Sequence, residues 1–264
     1  MALDLLSVEK PARYMGGEMG SLVKEQADLR ITLAFPDVYE VGMSHLGLRI
    51  LYQVLNAREG IAAERVYAPW PDMAAQMAAR QAPLATLETG TPLAQTDIIG
   101  FTLQYELSCT NILTMLRQAG IPLHAAQRDR HWPLVIGGGP GAYNPEPLAP
   151  FFDAFLLGDG EEAVLEIADC VRRWKQAGSG DRRQLLEALA GITGVYVPSF
   201  FEVSYLDDGR IAAVTPQQPA SAVVRRRFLT DIETASFPDS PVIPFMKTIH
   251  DRVAIEVARG CPRG

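Results

Sequence analysis

Residues 133–176 read PLVIGGGPGAYNPEPLAPFFDAFLLGDGEEAVLEIADCVRRWKQ, and this stretch decides the fold. It holds two apolar runs of strand length, 133–136 and 152–157, and each run ends in glycines. From about residue 161 to 176 the apolar residues take the spacing of an amphipathic helix. Strands, glycine-containing loops and helices in this order are typical of α/β proteins.

The same alternation continues upstream. Three more strands are predicted at 29–35, 62–67 and 97–103, and three helices at 45–56, 72–81 and 108–119. Ser44 is the predicted N-cap of the first of these helices. The pattern predicts a doubly wound, flavodoxin- or Rossmann-like fold over residues 28–180, with a parallel five-stranded sheet between helices. Right-handed crossovers would gather the loops that follow the strands at one edge of the sheet.

The rest of the chain predicts smaller units. Residues 1–27 form an N-terminal extension, and residues 181–216 form an appendage of one helix and short β segments, 195–197 among them. The proline- and serine-rich residues 217–251 predict a linker. Residues 252–258, RVAIEVA, predict a new strand with no evident partner. We therefore expect residues 252–264 to be the first strand of another domain, at which the fragment is cut.

Composition narrows the class of protein. The 264 residues are 48% hydrophobic and carry a net charge of −7, which fits a globular chain and disfavours general nucleic-acid binding. No apolar run is long enough to cross a membrane, and the N-terminus is too acidic for a signal peptide. The three scattered cysteines favour a cytoplasmic protein with reduced thiols. Nothing in the composition predicts an oligomeric state.

Glycines at strand ends are the first candidate binding residues. Gly137–Gly139 follow one predicted strand, and Gly158, Gly160 and Glu161 follow the next, beside a helix N-terminus. Missing side chains there either admit a ligand close to the backbone or only turn the chain. Thr102, at another strand end, either points its hydroxyl to the same edge or simply fills the strand. Neither GxGxxG after the first strand nor GxxxxGK[ST] is present, which disfavours a dinucleotide site or a P-loop.

Few side chains suggest catalysis. His45 has no neighbouring histidine, cysteine or carboxylate cluster in the sequence, and no nucleophile–base grouping follows from the spacing. Cys261 is different, because it follows a predicted strand directly within Arg-Gly-Cys-Pro-Arg-Gly. A thiolate there is well placed to ligate iron, although one cysteine cannot hold a cluster.

The ending VAIEVARGCPRG, residues 253–264, resembles the first barrel strand of radical S-adenosylmethionine (SAM) enzymes, which Cys-x-x-x-Cys-x-x-Cys follows. The resemblance implies that Cys261 is the first ligand of a [4Fe-4S] cluster that would form, with SAM, only in the full-length protein. The partner of this chain would be the missing C-terminal barrel. Residues 225–238 look like the linker before that strand in the cobalamin-binding subgroup.

Upstream segments are similar to the cobalamin domain of that subgroup. They are PDVYEVGMSHLGLRIL (36–51), DIIGFTL (97–103) and the stretch 135–167. The resemblance implies cofactor contacts from Ser44, Thr102, Gly137, Gly138, Gly139, Gly158, Gly160 and Glu161.

Two departures from the subgroup concern the cobalt ligand and the last loop. Asp-x-His-x-x-Gly is absent, because Asp37 and His45 are eight residues apart and Gly47 is only two beyond His45. Cobalamin would therefore bind without an axial histidine from this chain. Asp159 stands where the subgroup usually has glutamate, a conservative change.

Three functional hypotheses follow. The leading one is the cobalamin-binding-like N-terminal domain of a radical SAM enzyme of the iron–sulfur oxidoreductase type, not catalytic alone. Its family chemistry is reductive cleavage of SAM to a 5′-deoxyadenosyl radical, with methyl transfer or rearrangement through cobalamin. The alternative is a vestigial α/β domain that binds substrate or a partner protein. A flavodoxin-like nucleotide or flavin module is disfavoured, because PDVYEVGMSH has no phosphate-binding cradle.

Overall fold

The computed structural model describes residues 3–220 and 223–260. A six-stranded sheet with strand order β2-β1-β3-β4-β5-β6 forms its centre, and β7 and β8 form a separate hairpin. The strands are β1 (Leu29–Phe35), β2 (Ile61–Tyr67), β3 (Ile98–Thr102), β4 (Leu134–Gly138), β5 (Ala154–Leu156), β6 (Val195–Tyr196), β7 (Phe201–Tyr205) and β8 (Ile211–Pro216). The α-helices are α1 (Tyr39–Gly42), α2 (Leu46–Asn56), α3 (Pro71–Arg80), α4 (Cys109–Gln118), α5 (Ala163–Gln176) and α6 (Arg182–Ala190).

The predicted doubly wound α/β fold is confirmed. Strands β1 to β5 are the five predicted strands, and every pair between them is parallel. One face of the sheet packs on α2 and α5, and the other packs on α3 and α4. Because both faces are covered, the strands are nearly continuous apolar runs such as LRITLAF in β1.

The sheet has one strand more than predicted. Residues 195–197 were expected in the separate β appendage, but Val195 and Tyr196 form β6 and pair antiparallel with β5. Val195, Tyr196 and Val197 are all buried, so β6 closes the edge of the sheet that β5 would otherwise expose. The strand itself was predicted, but two residues carry no periodicity that would assign the strand to the central sheet.

The other edge strand, β2, is covered by the N-terminal extension. Arg65 on β2 is buried and forms ion pairs with Glu18 at 2.8 Å and with Glu88 at 2.6 Å. Burial alone would lower the pKa of Arg65, but the two carboxylates outweigh burial and hold this pKa above its ordinary value. The buried ion pair between Glu18 and Arg65 thus joins the N-terminal extension to the sheet.

The C-terminal part leaves one prediction untested. Residues 252–258 belong to no strand in the described ranges, where no neighbouring strand supplies hydrogen bonds to them, and their place in a following barrel stays a prediction. Residues 252–258 instead run across the surface with Val253, Ile255 and Val257 exposed. No helix in the described part of the chain has the length and apolarity needed to cross a bilayer.

Candidate functional site

A cavity of about 460 Å³ lies between the sheet and helices α2 and α5. Its floor comes from β1, β3 and β4, and its walls from the two helices. The apolar lining includes Ile31, Leu33, Ile98, Ile136, Leu51, Leu55, Val164 and Ile167. A cavity of this size and apolar character is typical of sites for small molecules and cofactors.

The cavity opens where the parallel strands end. Apart from Thr102, its polar lining residues follow β1, β3 and β5 or belong to the C-terminal segment; they are His45, Gln104, Asp159, Glu161, Glu256 and Arg259. We call this polar end the mouth of the cavity. Its position agrees with the general rule that open α/β sheets bind ligands at the carboxyl ends of their strands.

Two glycines keep the floor of the cavity open. A Cβ atom at Gly100 would come no closer than 3.9 Å to the Thr32 carbonyl oxygen. A Cβ atom at Gly138 would come no closer than 3.9 Å to the Leu156 carbonyl oxygen. Neighbouring atoms therefore leave room for a side chain at both positions. Because neither residue has a side chain, this room is part of the cavity. Gly100 was not among the predicted site residues, although a glycine inside an apolar strand often marks a position that a ligand or another backbone approaches closely.

Three other glycines, at the ends of β4 and β5, are explained by contacts and backbone geometry within the protein. At Gly137 a Cβ atom would lie 2.8 Å from the Phe155 ring, on the opposite face of the sheet. Gly139 and Gly158 have φ angles of 104° and 106°, and a side chain at Gly158 would collide with the backbone of Arg227. Turn geometry and packing thus account for these three glycines, although all of them border the cavity.

Thr102 and Gly160 lie on the cavity as the sequence suggested. Thr102 pairs with Gly138 in the β3–β4 register, and both border the cavity. The Thr102 hydroxyl makes no hydrogen bond to the described residues, which leaves its donor and its acceptor for a ligand. At Gly160 a Cβ atom would lie 3.2 Å from Leu51, so this glycine brings the loop after β5 close to α2.

His45, rather than the predicted Ser44, caps α2. Its Nδ1 atom accepts a hydrogen bond of 3.0 Å from the Leu48 backbone N–H. The prediction for Ser44 was wrong because a neutral imidazole also carries an acceptor nitrogen. The Ser44 hydroxyl instead donates to the Glu40 carbonyl oxygen at 2.7 Å and accepts from the His250 N–H at 3.0 Å. Ser44 does not line the cavity.

His45 faces the mouth as a neutral imidazole. Burial lowers its pKa, and the nearby Arg49 cation acts in the same direction, against an opposing side-chain hydrogen bond with Gln104. Because Nδ1 accepts the capping hydrogen bond, the proton lies on Nε2. Within the described residues, no group of three or more His, Cys, Asp or Glu side chains could hold a metal ion.

Glu161 is buried at the mouth but already has a partner. It forms a close ion pair with Arg259, which also contacts Asp159 at 3.3 Å. The predicted ligand contact of Glu161 stays a prediction, and the partner of Glu161 in this structure is an arginine of the C-terminal segment. Cys261, the predicted cluster ligand, lies outside the described residues. Burial raises the pKa of the Cys109 and Cys170 thiols, which is the setting of inert structural cysteines.

Comparison with protein families adds a finding independent of this geometry. Residues 47–198, more than half of the chain, match a family described as radical SAM proteins, N-terminal. The match starts in α2 and ends just after β6, so it includes most elements that line the cavity. Neither the curated proteins nor the solved structures contain a match to this chain.

Proposed function

The chain belongs to the family of N-terminal regions of radical SAM proteins, and we propose that its α/β domain binds a corrinoid by its nucleotide tail. In this proposal the domain is not catalytic alone. It serves a radical SAM barrel that follows it in the full-length protein, where the family implies a [4Fe-4S] cluster and SAM. The observation that carries the proposal is the cavity with Gly100 and Gly138 on its floor.

The shape of the cavity supports a flat apolar group joined to a polar one. Cobalamin has such a group in its dimethylbenzimidazole base, which a ribose phosphate connects to a corrin ring far larger than the cavity. The base would lie between the sheet and helices α2 and α5, where side chains of leucine, isoleucine and valine exclude water. The ribose phosphate would pass the polar mouth, and the ring would remain outside.

The residues present fit this group. Gly100 and Gly138 form a cradle that side chains would fill. Thr102, with its unpaired hydroxyl, would donate a hydrogen bond to a nitrogen of the base. His45 would keep its structural role as the cap of α2, so the lower face of cobalt would receive no histidine from this chain. When bound, cobalamin supplies a cobalt centre that can accept and donate a methyl group.

Cluster chemistry would belong to the rest of the protein. Cys261 would be the first of three cluster cysteines, and the other two would follow residue 264. Reductive cleavage of SAM would then take place in the barrel, and the contribution of this domain would be to hold and orient the corrinoid.

Titration with hydroxocobalamin, followed by visible absorbance, tests the proposal. We expect the wild-type chain to bind and Gly138→Val to lose at least tenfold in affinity, since the valine would occupy the place of the base. Gly180→Val is the matched control, because Gly180 lies outside the cavity and, among the described residues, a Cβ atom there would meet only the flexible end of Gln184. Circular dichroism verifies that both variants fold.

Two results would contradict the proposal. The first is equal affinity of Gly138→Val and wild type, which would place the corrinoid elsewhere. The second is no binding by a folded wild-type chain. That result would favour the alternative of a vestigial α/β domain that binds a substrate or a partner protein.

A further inference from the structure

The cavity is apolar over most of its surface, and this distribution of polar groups selects between ligands of similar shape. Resting on the proposed function, we infer that the cavity selects corrinoids whose lower base is a benzimidazole over corrinoids whose lower base is a purine such as adenine. The two bases are both flat and bicyclic. They differ mainly in where their polar atoms lie, and so the cavity discriminates by hydrogen bonding rather than by size.

The floor of the cavity consists of three rows of residues that run across the strands. The parallel register places Thr102 beside Gly138 in the outer row, where the strands end. The two rows below carry no polar side chain on the cavity; they are Leu33, Gly100 and Ile136 in the middle row and Ile31 and Ile98 in the inner row. Successive rows are about 7 Å apart, because two residues of a strand rise by that length. A bicyclic base that enters at the mouth would therefore extend past the outer row onto Gly100.

The walls of the inner part are apolar as well. Leu55 is the next-to-last residue of α2, a helix that begins at the mouth, and it lines the cavity far from that end. Ile167 of α5 is buried and also lines the cavity. Among the described lining residues, the polar side chains other than Thr102 lie at the mouth. Thr102 is therefore the polar side chain that a base below the mouth would meet.

The backbone around the inner part is already paired. Strands β1, β3 and β4 use their N–H and C=O groups in the parallel ladder, and the interior turns of α2 and α5 use theirs within the helices. A bridging water would gain little there, since a buried water needs about two to four polar partners. A polar atom of the base beyond the reach of Thr102 would thus leave water without finding a new partner.

Dimethylbenzimidazole matches this distribution. Its free nitrogen belongs to the five-membered ring, which is the ring joined to the ribose, and would accept a hydrogen bond from the Thr102 hydroxyl in the outer row. Its six-membered ring carries two methyl groups and no polar atom. That ring would lie on Gly100 and toward Ile98, where removal of apolar surface from water is favourable.

Adenine places polar atoms where the cavity is apolar. Its six-membered ring contains two nitrogens and carries an amino group, and this ring would occupy the place of the methylated one. Each of these groups would lose its hydrogen bonds to water against the middle and inner rows. Leaving one buried polar group without a partner weakens binding by about tenfold or more.

Equilibrium dialysis with three corrinoids tests the inference. They are cobalamin, the cobamide with adenine as its lower base, and cobinamide, which has no nucleotide tail. Titanium(III) citrate keeps all three in the cob(I) state, in which cobalt has no axial ligand, so the release of the base from cobalt does not enter the comparison. We expect the wild-type chain to bind cobalamin about tenfold or more tightly than either the adenine cobamide or cobinamide.

Gly100→Ser and Gly100→Ala form a matched pair of variants that differ by one hydroxyl group on the floor. A Cβ atom at Gly100 meets no described atom closer than 3.9 Å, so both variants should fold, which circular dichroism verifies. We expect Gly100→Ser to discriminate several-fold less against the adenine cobamide than Gly100→Ala does, since the serine hydroxyl supplies a partner. Equal discrimination by the two variants would overturn the role of the missing partners.

The three corrinoids also separate this inference from the proposed function. If wild type binds both cobamides equally and more tightly than cobinamide, the selectivity is wrong while the proposed binding of the tail stands. Tighter binding of the adenine cobamide than of cobalamin would likewise overturn the selectivity alone. If neither cobamide binds more tightly than cobinamide, the proposed function fails, and the selectivity fails with it.

Discussion

The two faces of the central sheet are built from the same strands but are filled differently. On the α3–α4 face, Phe101, Phe152 and Phe155 pack ring against ring at centroid distances of 6.0 and 4.8 Å. On the α2–α5 face, the residue that precedes Phe101 in β3 is Gly100, which has no side chain. The space beside it is the cavity. A single strand, β3, thus contributes core packing to one face and open floor to the other.

The difference shows how a structural glycine is told from a ligand-facing one. Gly137 and Gly138 are adjacent, and sequence alone treats them alike. Only the Cβ positions separate them, since the one at Gly137 meets Phe155 and the one at Gly138 meets nothing closer than 3.9 Å. At a ligand-facing glycine, the protein alone would accommodate an added side chain, but that side chain would collide with a bound ligand.

The largest effect should come from the packed face. Phe101→Ala removes a fully buried ring, and we expect the free energy of unfolding to fall by about 3–5 kcal/mol. Urea denaturation followed by circular dichroism measures this loss. A change below about 1 kcal/mol would mean that this face is not the close-packed one.

A smaller loss is expected at the glycine of the packed face. Gly137→Val would press its side chain against Phe155 and Leu103, and overpacking of this kind costs about 1–3 kcal/mol. The same denaturation experiment applies, with Gly138→Val as the comparison. If both variants lose equal stability, the distinction between the two glycines is wrong.

The open floor should tolerate a methyl group. We expect Gly100→Ala to leave stability unchanged or raise it by up to about 1 kcal/mol, since alanine restricts the unfolded chain and meets no close neighbour. The same variant should weaken hydroxocobalamin binding. A clear loss of stability without any effect on binding would assign Gly100 to packing rather than to a ligand.

The smallest effect concerns pH and the cap at the mouth. Because folding lowers the pKa of His45, its neutral form is favoured in the folded state. The stabilisation is complete above the ordinary histidine pKa of 6.5 and is lost as the pH falls below that value. Asparagine also caps helices but does not titrate, so His45→Asn should lose less thermal stability than wild type between pH 7 and pH 5. Identical pH profiles would contradict a neutral His45 in the folded state.

Much of the fold could be predicted because the signals are local. The run LRITLAF predicts the exact bounds of β1, Leu29 to Phe35, since a strand covered on both faces is rich in apolar residues along most of its length. Helices α2 to α5 follow their predicted bounds within two residues for the same local reason. The strand β6 was also predicted, but two residues are too short to indicate its pairing with β5.

The candidate site was harder to predict because it depends on distant contacts. The register of β3 and β4 places Thr102 beside Gly138, and no spacing within either segment encodes that pairing. The pair of Arg259 with Glu161 is a stronger example, since the two residues are 98 positions apart in the sequence. Glu161 was therefore expected to contact a ligand, although its nearest partner is an arginine of this chain.

The central claim is that a corrinoid tail lies in the cavity, with no nitrogen of this chain on cobalt. Electron paramagnetic resonance of bound cob(II)alamin tests it most directly, because a coordinated nitrogen splits each cobalt line into three. We predict a spectrum without nitrogen splitting for the wild type, and the same spectrum for His45→Asn. Splitting in the wild type would contradict the claim. If His45→Asn removed it, His45 would be the axial ligand, and if it persisted, the tail base would be bound to cobalt rather than inserted in the cavity.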